Sequence, residues 1–217
     1  MRLTYFLDLV SSWCHWAEPT WAELQTRYAG RVQFDWKIAL MGPGCFPSSA
    51  EQENWFYRRS GLIVRSPYML SNGWFDGPNA DYSAPSLVAE AARSLGATGD
   101  TVRLALDHAA MREGRKVGRL EESVAIAAAA GKLDPAVLRA RATSPEIRAI
   151  VDASTAVFHS LQITQRPAFL LEDPIGDRAV FSGLIQLAPL AATIDAMLAD
   201  TAAYACHRAH FGDPPAA

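Results

Sequence analysis

The chain has 217 residues, with 20 Lys or Arg against 23 Asp or Glu and a formal charge of −3. Half of the residues are hydrophobic, which excludes a disordered chain, and the charge balance lacks the basic excess of a nucleic-acid or membrane-surface protein. Three cysteines, Cys14, Cys45 and Cys206, are too few and odd in number for a disulfide scaffold.

From the N-terminus, residues 3–10 alternate loosely and predict a buried strand. Asp8 interrupts this run too early for a signal peptide, and no apolar run reaches the roughly 18 residues of a membrane span. A cytoplasmic chain with reduced thiols is the expectation. Ser11 or Ser12 can cap a helix on which Trp13, Trp16, Ala17, Trp21, Leu24 and Tyr28 recur at three-to-four spacing up to Gly30. Pro19 predicts a kink or a split in that helix. Val32, Phe34, Trp36, Ile38 and Leu40 follow period two and predict a second strand. Strand, helix and strand form the start of a parallel α/β sheet.

Residues 41–85 are irregular and rich in Gly, Pro, Ser and aromatics. Gln52 to Arg59 predicts a short helix bearing Trp55, Phe56, Arg58 and Arg59. Residues 86–160 turn Ala-rich, with helical patterns over 86–95, about 100–113, 120–130, 135–142 and 145–160. Ser144-Pro145 supplies an N-cap followed by proline at the first helical position. Residues 168–172 and 178–182 flank an Asp-Pro-Ile-Gly-Asp turn and predict a hairpin. Leu187, Leu190, Ala191, Ile194, Met197 and Leu198 line one face of a final helix, with a frayed tail expected after Tyr204. There is no internal repeat and no linker long enough to separate two independent domains.

Three local features sharpen this layout. Ser11-Ser12-Trp13-Cys14 sits where the first strand meets its helix, Thr164-Gln165-Arg166-Pro167 precedes the third strand, and Phe181-Ser182-Gly183 precedes the last helix. On these residues the chain resembles the DsbA-like thioredoxin family. That family includes dithiol oxidoreductases, kappa-class glutathione transferases and 2-hydroxychromene-2-carboxylate isomerases. The resemblance covers nearly the whole chain. It implies an α/β, thioredoxin-like domain over residues 1–60 and 162–205, an all-helical insertion over 61–161 and a tail over 206–217.

The dithiol members carry Cys-Pro-Trp-Cys or a close variant at the strand–helix junction. Here Ser11 falls on the first cysteine and Cys14 on the second. A hydroxyl has no disulfide chemistry, so a two-cysteine exchange cycle cannot run at this site. A serine at the first position is what the glutathione transferase and isomerase branch has. The resemblance therefore implies that Ser11 activates the thiolate of glutathione or another low-molecular-weight thiol. Ser12 and Trp13 at the helix N-terminus, Arg166 with a cis Pro167, and Gly183 would complete the cofactor site. Two departures stand out. Gly183 is followed by Leu184-Ile185, where the glutathione branch usually carries Ser-Asp, and Arg166 replaces a small or apolar residue. Arg166 either offers a positive group to an anionic ligand or is simply exposed.

Each residue also has a plainer reading. Ser11 suits an N-cap, and Cys14 a buried second-position cysteine rather than a single reactive thiol. His15 adjoins Cys14, but successive side chains diverge on a helix. Cys45 lies on a loop with no positive reason to approach the site. Trp13 and Trp55 either wall an aromatic pocket or belong to the core, and Arg58 beside them either pairs with a substrate carboxylate or lies on a solvated face. Cys206, His207 and His210 lack a fourth ligand, so no metal is expected. The leading expectation is thiol-assisted isomerisation or transfer on a small, partly aromatic molecule. The alternatives are an oxidoreductase using Cys14 alone and a degenerate, non-catalytic binding module. A small-molecule substrate is the expected partner, without nucleic acid or membrane; a homodimer stays open.

Overall fold

A computed structural model describes residues 1–77 and 80–213. Its sheet has four strands: β1 (Arg2–Leu7), β2 (Gln33–Ile38), β3 (Ala168–Glu172) and β4 (Arg178–Ser182), in the order β2-β1-β3-β4. β1 runs parallel to β2, and β3 is antiparallel to both β1 and β4. β1 is nearly continuously apolar because both of its faces are covered. Leu3, Tyr5 and Leu7 enter the main core, while Phe6 joins Ala39, Phe158, Ala168 and Leu170 on the opposite face.

The crossover from β1 to β2 is α1 (Ser12–Arg27), which continues through Pro19 as one helix. The predicted split does not occur. Cys14 and Ala17 before the proline, and Trp21 and Leu24 after it, are buried in the same core. That packing outweighs the roughly 3 kcal/mol a mid-helix proline costs.

Between β2 and β3 lie α2 (Ala50–Ile63), α3 (Ala84–Ser94), α4 (Thr101–Met111), α5 (Leu120–Gly131), α6 (Pro135–Ala142) and α7 (Pro145–Ser160). Asp134 and Ser144 cap α6 and α7 with proline just inside each helix, as the capping rules require. Buried Ala89, Ala92, Ala109, Ala110 and Ala127 allow α3, α4 and α5 to pack closely. α7 is tied to the end of β2: Ser154 Oγ donates to the Ile38 carbonyl at 2.5 Å, and Leu40 N–H donates to Thr155 Oγ1 at 3.1 Å.

Buried polar ties fix the helical block to α1. Arg103, fully buried on α4, donates to Glu18 at 2.7 Å and Asp100 at 2.8 Å, and Trp21 Nε1 donates to Asp100 at 2.9 Å. α8 (Leu187–Phe211) closes the chain. The expected fraying after Tyr204 is not observed through Phe211, and residues 214–217 of the expected tail lie outside the described residues. No helix among the described residues is long and apolar enough to cross a membrane.

Candidate active site

At the β1–α1 junction Ser11 is the N-cap, in extended conformation, and its hydroxyl accepts from the Cys14 N–H at 3.4 Å. The backbone amides of Ser12 and Trp13, the first two of the helix, have no partner among the described residues, as expected at a helix start. Ser11, Ser12 and Trp13 line a cavity of about 300 Å³. Met41, Cys45 and Phe46 from the loop after β2 line it too, with Glu53, Phe56 and Arg59 from α2 and Thr164, Gln165 and Arg166 from the loop before β3.

Asp8 sets this geometry, a role the sequence reading did not assign. It is buried, its Oδ1 accepts from Val10 N–H at 3.0 Å, and its Oδ2 accepts from Met41 N–H at 2.7 Å. One carboxyl therefore holds both the turn into α1 and the loop carrying Cys45. Burial raises its pKa, opposed by those two amides and by the charge of Arg166. The only signal in the sequence is an acid at the end of an apolar strand.

Cys14 lies behind Ser11, 2% exposed, and burial pushes its thiol up to about 12. It is protonated at any physiological pH, and a thiol in that state is neither nucleophile nor metal ligand. His15 turns away from the cavity: Nδ1 is 2.7 Å from Asp107 and Nε2 is 3.1 Å from the Tyr68 hydroxyl. It ties α1 to α4 rather than serving a thiol.

Arg166 is neither exposed nor free for an anion. It is 9% exposed, its Nε donates to the Ala39 carbonyl, its Nη2 donates to the Leu40 carbonyl at 2.6 Å, and it stacks 4.4 Å from the Phe158 ring centre. Its own backbone N–H has no partner among the described residues. The Arg166–Pro167 peptide is cis. Gly183 stands behind this loop rather than in the cavity wall. Its N–H donates to the Pro167 carbonyl at 2.8 Å, and at φ +72° an added Cβ would lie 3.2 Å from Gln165 Cβ.

Trp55 and Arg58, chosen from the sequence for a substrate pocket, face outward; Trp55 is 57% exposed. The phase of α2 explains this. Glu53, Tyr57, Ser60 and Gly61 form its buried face, which leaves positions 55 and 58 on the far side. Phe56, Arg59 and Glu53 are the α2 residues that reach the cavity. Cys45, on a loop with no local signal for approach, is exposed in the same wall. Cys206, His207 and His210 lie exposed on α8, and no group of three or more potential metal ligands occurs among the described residues.

The sequence matches no protein-family model and none of the curated proteins. Solved structures do resemble the chain. A putative protein disulfide isomerase from Nitrosomonas europaea superposes with a TM-score of 0.74 at 16% identity, over 92% of this chain and 98% of that one. The cytosolic disulfide reductase DsbM from Pseudomonas aeruginosa gives 0.71 at 21% identity, over 91% and 98%, and a structure of that protein with GSH is also similar. A 2-hydroxychromene-2-carboxylate isomerase gives 0.57 at 12% identity, over 99% and 100%. At these identities the likeness is one of fold: the chain has the thioredoxin-like fold with helical insertion that these DsbA-like structures share.

Proposed function

We propose that the protein is a thiol-dependent enzyme whose Ser11 holds the thiolate of glutathione, or a similar small thiol, for isomerisation or transfer on a small, partly aromatic substrate. The observation that carries this reading is the contrast between Ser11 and Cys14. Ser11, Ser12 and Trp13 line the cavity, and the Ser12 and Trp13 amides have no partner among the described residues, while the Cys14 thiol behind them is buried and protonated. A hydroxyl and two amides form a small anion site at the positive end of α1. The Arg166 N–H beside Pro167, without a partner among the described residues, suits an extended peptide-like ligand, which adds to backbone as a strand does. Bound glutathione would supply the nucleophilic sulfur that the chain itself does not present at this position. Trp13 and Phe56 give the cavity aromatic walls. The likeness to DsbM, a protein seen with GSH, and to an isomerase supports the same reading. A reducing, cytosolic setting suits three unpaired cysteines.

Calorimetric titration of glutathione into the wild type and Ser11→Ala tests it. Loss of one hydrogen bond to a charged group should weaken binding about tenfold or more. A flat wild-type titration would remove glutathione from this reading.

One observation favours a second reading, an oxidoreductase working through Cys45 rather than Cys14. Cys45 is exposed in the cavity wall. Its thiolate would attack one sulfur of a small disulfide, forming a mixed disulfide on Cys45 and releasing one thiol. A second small thiol would then attack the ligand sulfur of that bond, regenerating the Cys45 thiol and leaving with the ligand as a small disulfide. Mass spectrometry after exposure to oxidised glutathione tests this. A glutathione adduct absent from Cys45→Ala supports it, and an unmodified wild type removes it.

A further inference from the structure

Glu53 is an acid on the wrong side of its helix. Glu51 and Gln52 beside it are exposed, whereas Glu53 is 6% exposed and lines the Ser11 cavity. It forms no ion pair with any described residue. The two cations of the cavity do not serve it. Arg166 is committed to the Ala39 and Leu40 carbonyls, and Arg59, exposed at the rim, stacks 5.1 Å from the ring centres of Trp55 and Phe56.

Beneath Glu53 the wall is fixed, since Trp74 Nε1 donates to the Tyr57 hydroxyl at 2.7 Å. Burial raises the Glu53 pKa, only partly offset by the Tyr57 hydroxyl. A carboxylate so placed is costly unless a cation joins it. Before α8, Leu184 and Ile185 pack against the core and offer no acid to an amine.

We propose that Glu53 binds the ammonium group of the thiol ligand, with Arg59 at the rim as the donor to its carboxylate. The ligand class is an amine-bearing, zwitterionic thiol, and neutral or purely anionic thiols bind more weakly. This rests on the reading of Ser11 as a thiolate site, and it places amine recognition on α2.

The test compares glutathione with N-acetylglutathione, which lacks the ammonium, by calorimetry on the wild type and on Glu53→Gln. Acetylation should weaken wild-type binding about tenfold, the scale of a charge-assisted contact. In the variant the two ligands should bind within about twofold of each other. Equal wild-type affinities, or a difference that survives in Glu53→Gln, overturn the role of Glu53 while leaving the thiol site in place. A wild type that binds neither ligand overturns the thiol site and this proposal together. The wild-type comparison stands even where the variant fails to fold.

Discussion

Arg166 Nη2 donates to the Leu40 carbonyl at 2.6 Å and ties the loop before β3 to the chain leaving β2. The same guanidinium takes the Ala39 carbonyl through Nε. A positive charge next to a cis-proline reads from sequence as a ligand group, but here it is consumed in holding two loops of the site together.

Arg166→Met should therefore act on stability. It leaves two carbonyls without their donor, at a cost of about 2–4 kcal/mol. Thermal unfolding of the purified variant should show a clearly lowered Tm. An unchanged Tm would mean that water replaces the guanidinium.

Thiol reactivity should follow burial. Iodoacetamide at neutral pH should modify Cys45 and Cys206, both exposed, while Cys14 stays unmodified until the protein is denatured. Peptide mapping reads this directly. Native-state labelling of Cys14 would contradict its burial.

Glu53→Gln should separate stability from binding. The Glu53 carboxyl titrates above the ordinary value near 4.5, so the folded state holds its proton more tightly than the unfolded chain does. Below 4.5 both states are protonated and nothing is lost. As pH rises through the folded pKa, ionisation destabilises the wild type. The variant should be at least as stable as the wild type above neutrality, with the difference shrinking in acid. Urea denaturation across pH checks this, and a variant less stable above neutrality would show that the carboxylate is already satisfied in the folded chain. Gain of stability with loss of binding is the signature of a functional residue.

Much of the fold was legible because local signals agreed. Ser144-Pro145 placed the start of α7, and the Asp173–Asp177 turn placed β3 and β4. Two helices depart from what their local signals predict. Pro19 is tolerated because Trp21 and Leu24 bury beyond it, and the end of α8 remains helical although exposed. At the site, Ser11 and Trp13 were legible because the strand–helix junction fixes their place. Trp55 and Arg58 were misplaced because they were chosen by chemistry, whereas Tyr57, Ser60 and Gly61 set the phase of α2. Glu53 and Cys45 carry no local pattern; only the convergence of α2 and the loop after β2 on α1 brings them into view.

The central claim is that Ser11 stabilises a thiolate at the start of α1. The direct measurement is a pH titration of bound glutathione by its ultraviolet thiolate absorbance, in the wild type and in Ser11→Ala. The wild type should hold the thiol ionised at a pH where free glutathione is protonated, and Ser11→Ala should return the titration toward that of free glutathione. Superimposable curves for the two proteins would contradict the claim.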